Sequence, residues 1–181
     1  MKWGEKFIVA LGFVGVVVPS IAQSAPIHEA TVRDDIPIVE GLLARGVDPD
    51  AKDKSGDTAL IIAAQRGNFE IVRMLVDAGA DTNIGDTLRN VPLHFASEKG
   101  FKRIVDFLVR NGADVNARNR IGRTPLHSSA SGGRRSVTEF LLANGSSVNA
   151  RDKRHRTPLM LAIYGNHKLV VKLLRKYGAK K

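Results

Sequence analysis

The hydrophobic pattern changes character once along the chain. Phe7 to Val18 is an unbroken apolar and glycine run of 12 residues, preceded by Lys2 and Lys6 and broken by Pro19. Small residues follow at Ser20, Ala22, Ser24 and Ala25. Beyond this point the apolar residues occur in short stripes at helical spacing, such as Ile71-Val72-Met74-Leu75 and Ile104-Val105-Phe107-Leu108. Each stripe is preceded by a shorter segment that opens on a Thr-Pro type pair, an N-cap followed by proline at the first helical position. Leu126 and Ala130 illustrate the apolar side of that first segment. Gly67, Gly100 and Gly133 stand between the two segments and predict a turn with positive φ. Asp34 and Asn166 hold the same place in the first and last copies, and both types tolerate that conformation. The pattern predicts pairs of short helices joined by tight turns.

The pairs repeat. Residues 53–85, 86–118, 119–151 and 152–181 align without gaps at a period of 33 residues, the last block being shorter. Thr58-Ala59-Leu60 falls over Val91-Pro92-Leu93, Thr124-Pro125-Leu126 and Thr157-Pro158-Leu159. Gly79, Gly112, Gly145 and Gly178 coincide, as do Asn83, Asn116 and Asn149. A weaker copy spans 23–52, where Pro26-Ile27-His28 aligns with Pro92-Leu93-His94. One block cannot bury its own stripe, so neighbours must stack into a solenoid.

A 33-residue period with Thr-Pro-Leu-His resembles the ankyrin repeat. Thr124-Pro125-Leu126-His127 matches that motif letter for letter, and Val115-Asn116-Ala117 and Val148-Asn149-Ala150 match its ending. The resemblance implies an all-α solenoid of about five helix-turn-helix-hairpin repeats, the first degenerate and the last truncated. Ile61 and Met160 depart from it by replacing the motif histidine, and Arg89 and His155 stand where the hairpin has glycine. Glu29, Asp35 and Glu40 suit a polar N-terminal cap, and Lys172, Arg175, Lys176 and Lys180 a C-terminal one.

The run at the N-terminus reads as a secretory signal peptide. It is short for a spanning helix, which needs about 18–20 apolar residues. Cleavage is expected after Ala22, giving a segment 1–22 and an exported repeat domain 23–181, with the periplasm of a Gram-negative bacterium as the expected location and the extracellular space as the alternative. No membrane contact is expected beyond this segment.

The chain has 181 residues and no cysteine. That excludes a disulfide scaffold, a thiolate metal site, a cysteine nucleophile and a lipidated cysteine anchor. The net charge of +10 suggests nucleic acid at first sight. Divided by repeat, it runs −3, −2, +2, +4 and +8 from residue 23 to the end. The molecule is therefore acidic at one end and strongly basic at the other. Such a field orients a partner and speeds encounter. With aromatic residues at 6% and none interleaved among the arginines, nucleic acid is not the expected ligand.

No hydrolase, phosphate-loop or metalloprotease signature is present, so no catalytic residues, metal or cofactor are expected. His28, His94 and His127 share one repeat position. They would lie about 10 Å apart along such a stack, too far to share an ion. The resemblance implies that they hydrogen-bond neighbouring hairpins together.

The resemblance also implies a concave binding face of hairpin tips and first helices. Those positions include Arg66 in the second repeat and Leu88, Arg89, Asn90, Glu98 and Lys99 in the third. The fourth gives Arg120, Ile121, Arg123 and Ser131, and the fifth Arg154, Arg156 and Tyr164. Leu88 and Ile121 sit near hairpin tips where a polar residue would cost nothing, so each is a candidate anchor. The bland alternative has each folding back on the adjacent hairpin. The arginines are suited to carboxylates or phosphates. The expectation is a monomeric, exported protein-binding module whose partner carries an acidic patch. An inhibitor or immunity protein for a periplasmic enzyme, such as a cell-wall hydrolase, is the leading role. A scaffold for a periplasmic antioxidant enzyme and a secreted effector acting on host proteins are the alternatives.

Overall fold

The structure is a computed structural model that describes residues 20–180. The apolar run and most of the expected signal segment lie outside the described residues. Among the described residues there are ten helices in five antiparallel pairs. The pairs are α1 (Ser20–Val32) with α2 (Ile36–Ala44), α3 (Ala59–Arg66) with α4 (Phe69–Asp77), and α5 (Pro92–Lys99) with α6 (Lys102–Arg110). Then come α7 (Pro125–Ser131) with α8 (Arg135–Ala143), and α9 (Pro158–Tyr164) with α10 (Lys168–Lys176). Odd-numbered helices stack on one another in one layer and even-numbered helices in a second. This is an all-helical solenoid.

The helix starts follow the local chemistry. The Oγ1 of Thr58 and Thr157 accepts from the backbone N–H of Ile61 and Met160, both at 3.3 Å. Where the motif histidine is present, its ring takes part instead: His94 Nδ1 accepts from Val91 N–H at 3.2 Å and His127 Nδ1 from Thr124 N–H at 3.1 Å. The predicted left-handed turns are all present, at Asp34, Gly67, Gly100, Gly133 and Asn166.

Those turns carry a contact that links repeats. The side chain that opens each even-numbered helix from α4 onward reaches back over the turn of the preceding repeat. Asn68 donates to Asp34 Oδ1 at 3.2 Å, and the Phe101 ring covers Gly67. Arg134 lies over Gly100 and donates to Glu98 O at 2.8 Å, while His167 covers Gly133 and bonds Ser131 O at 2.8 Å. A Cβ on Gly67 would sit 2.6 Å from the Phe101 ring, so glycine there serves close approach as well as φ.

The core runs continuously through the stack. Leu60, Leu93, Leu126 and Leu159 fill one inner row; Leu75, Leu108, Leu141 and Leu174 fill one from the outer layer. Burying each such leucine stabilises the fold by roughly 1.5–3 kcal/mol. On the hairpin side, Asn83 Nδ2 donates to Gly112 O at 3.0 Å while its Oδ1 accepts from Asp114 N–H at 2.8 Å. Asn116 and Asn149 repeat both bonds to the next repeat. Asp50 holds the same place in the first repeat but can only accept, from Asp81 N–H at 3.0 Å, and burial raises its pKa.

Asp50→Asn adds the missing donor and removes the cost of a partly desolvated carboxylate. The expected result is a gain of about 1 kcal/mol, read as a higher denaturant midpoint with unchanged slope.

Candidate partner-binding site

Each hairpin is folded by the side chain at its first position. Asp53, Asp86, Asn119 and Asp152 each accept two backbone N–H bonds, from residues two and four positions further on. This fold-back is the turn-forming habit of Asp and Asn. The tips are joined to one another by backbone: Arg120 N–H donates to Leu88 O at 2.8 Å, and Lys153 N–H to Ile121 O at 2.9 Å. Two tips carry strain, because Arg89 and His155 adopt φ of 61° and 59° where glycine would be at ease.

Buried imidazoles hold the hairpins against the helices. His28 Nε2 bonds Ala51 O and Asp57 O, both at 3.0 Å. His94 Nε2 donates to Arg123 O at 3.0 Å and His127 Nε2 to Arg156 O at 3.1 Å, each across to the next hairpin. This is the role that the repeat resemblance implied. With Nδ1 accepting at the helix start, both His94 and His127 are neutral Nε2–H tautomers. Burial lowers the pKa of His94, and lowers that of His127 from 6.5 to about 4 against the opposing pull of the Arg156 carbonyl.

The last hairpin has a further lock. The Asp152 side chain is fully buried, with Arg156 Nη2 at 2.7 Å and Nε at 2.9 Å, and Arg123 Nε at 3.7 Å. Burial pushes the carboxyl pKa up, but bonds from the Arg156 side chain and the Arg156 and Arg154 backbones outweigh it and hold the pKa at about 2.

Seven of the residues singled out in the sequence meet in one groove of about 210 Å³: Leu88, Asn90, Glu98, Arg120, Ile121, Arg123 and Ser131. Hairpin tips form one wall, and Glu98 of α5 with Ser128 and Ser131 of α7 form the other. Leu88 and Ile121 are 57% and 50% exposed, so neither folds back under its neighbour. Asn119 and Ser128 join the groove although the sequence pattern does not single them out. Asn119 Nδ2 donates to Asn90 Oδ1 at 2.7 Å, a link between two tips that the 29-residue separation hides.

The other residues lie elsewhere. Arg66 is at the far end of α3, in an ion pair with Asp34 at 2.7 Å. Arg89 lines a separate depression with Lys52, Asp86, Asp114 and Arg118. Arg156 is committed to Asp152. Lys99 and Arg154 are exposed but outside the groove, and Tyr164, 78% exposed, stands at the end of α9. Among the described residues no cluster of three or more His, Asp or Glu could hold a metal ion, and no helix is long and apolar enough to cross a membrane.

The model of the ankyrin-repeat family, which spans three repeat copies, matches residues 27–119 and again 93–181. The two matches together cover most of the chain, so the protein belongs to the ankyrin-repeat family. Ankyrin repeats are protein–protein interaction modules and are typically without enzymatic activity. A comparison with curated proteins returns no match.

The buried histidines make stability depend on pH. A depressed pKa in the folded state means that the unfolded chain binds the proton first. Stability is therefore complete above pH 6.5 and falls as the pH drops towards 4, with a contribution from His127 of about 3 kcal/mol. Asp152 adds a separate loss between pH 3.8 and about 2. Thermal melts from pH 7 to 4 should show the first loss. His127→Met, which copies Met160, should flatten the curve in that window.

Proposed function

We propose that this protein is an exported binding module that grips a partner protein in the groove between the third and fourth hairpin tips. The observation that carries the reading is the meeting of Leu88, Arg120 and Ile121 in that groove. Two exposed aliphatic side chains beside a guanidinium without an ion pair among the described residues make a small anchor set of the kind that dominates binding energy. The groove lies between two repeats of net charge +2 and +4, so an acidic patch on the partner is drawn to it.

The finer role is inhibition or shielding of a periplasmic enzyme, as an immunity protein does for a cell-wall hydrolase. It is supported by the signal-like N-terminus and by the lack of any motif of its own chemistry. A small rigid stack with preformed contact residues suits that role, because little ordering entropy opposes binding.

Crosslinking in intact cells, followed by identification of the captured protein, tests this. Arg120→Glu with Ile121→Asp lies on exposed tip positions and should leave the thermal melt within about 0.5 kcal/mol of the parent. The same pair should reduce capture by about a hundredfold, and association should slow as salt rises. Undiminished capture by the double variant would remove the groove from the binding surface.

A further inference from the structure

A second surface lies at the C-terminal end of the stack, about two repeats from the hairpin groove. Here α9 and α10 have an open flank among the described residues, with a groove of about 380 Å³. Its apolar part is Ala162, Ile163 and Val171, and its rim carries Lys168, Lys172 and Arg175. Position 163 corresponds to Ala64, Ser97 and Ala130, each fully buried under the repeat that follows. Position 171 corresponds to Val72, Val105 and Thr138, which are also fully buried. The groove therefore has the shape of a surface that receives helices, and Ile163 is 44% exposed on it.

At one rim position the groove differs from what a further repeat of the same kind meets, while Lys168 and Lys172 stand at places that are charged in inner repeats too, such as Lys102 and Arg73. Arg175 stands where Leu43, Val76, Val109 and Leu142 occur in the earlier repeats. Lys168, Lys172 and Arg175 lie on one face of α10, at spacings of four and three. None of the three has an ion-pair partner among the described residues. A terminal cap needs only polarity. An isoleucine exposed beneath three unpaired cations is more than a cap requires.

We propose that this end groove docks an acidic amphipathic helix of a partner protein, seated where a further repeat would stack. The helix's apolar ridge covers Ile163 and Val171, and its flanking carboxylates meet Lys168, Lys172 and Arg175. Helix-in-groove recognition uses this combination of i, i+3, i+4 and i+7 apolar anchors with charged flanks. A bilayer is flat and needs apolar side chains that project from the surface. Here the apolar residues sit in a recess, which favours a ridge over a lipid surface.

The probe is a synthetic helical peptide of about 16 residues with leucine along one face and glutamate on both flanks. Its control is a shuffled peptide of the same composition. Titration of the full chain, followed by fluorescence anisotropy, should show the patterned peptide binding at least about tenfold tighter than the shuffled one. Lys172→Glu with Arg175→Glu should lose that preference, and Ile163→Ala, which restores the residue found at 64 and 130, should weaken binding about fivefold. Arg120→Glu with Ile121→Asp should leave it unchanged, which separates this groove from the hairpin groove. Equal affinity for the shuffled peptide, or binding that survives the charge reversal, would overturn the proposal. So would retention on vesicles of anionic phospholipid that the charge reversal abolishes while the peptide fails to bind, since that would assign the patch to a lipid surface. All the variants change surface positions, and far-UV circular dichroism with a melt confirms that each is folded.

Discussion

No helix pair in this protein can enclose its own apolar stripe. Nine-residue helices such as α4 and α6 present Ile71 and Leu75, or Ile104 and Leu108, to a core that exists only when the next pair is in place. Stacking is therefore the interaction on which the rest depends. It also fixes the scale on which everything else must fit. A polar group that ties one repeat to the next has to find its partner about one repeat away. The bonds of His94, His127, Asn83 and Asn116 do this at separations of 29 or 31 residues.

Three sets of inter-repeat links work at different heights along the helices. Buried histidines and paired asparagines secure the hairpin side. The side chains at 68, 101, 134 and 167 close the opposite side over the tight turns. The leucine rows lie between. With both sides tied, the hairpin tips are held as a row of rigid projections. That rigidity lets Leu88 and Ile121 remain exposed without collapsing onto each other. Stability and the geometry of the hairpin tips thus rest on the same bonds, and acid that protonates the buried imidazoles loosens both.

Much of this was legible in the residues. The period, the five helix pairs and the left-handed turns follow from motifs that recur in phase, because a repeated residue type at a repeated place has a repeated job, while the bonding role of His94 and His127 was implied by the ankyrin resemblance. The candidate site was legible only in part. Leu88 and Ile121 stand out because apolar residues at a turn tip are unusual. The arginines were harder to sort, since guanidinium groups near a hairpin look alike in sequence. Arg120 shares its groove with Glu98 but makes no ion pair among the described residues, Arg156 is held by a buried carboxylate, Arg66 pairs with Asp34, and Arg89 lines another depression. The links at 68, 101, 134 and 167 carry no signal at all, for Asn, Phe, Arg and His share a place and not a chemistry.

The sequence by itself determined the repeat, its length, the all-helical class and the rise of positive charge along the stack. These are properties of order along a chain, and a 33-residue period with fixed turn residues admits one solution. Tertiary structure alone decided which tip residues share a groove, which arginines are spent in ion pairs within the fold, and how the last helix pair sets an apolar recess beneath cations that make no ion pair among the described residues. Each of those depends on what stands across from a side chain in the adjacent repeat. That neighbour is set by stacking geometry, and one-dimensional spacing does not encode the direction in which a side chain turns.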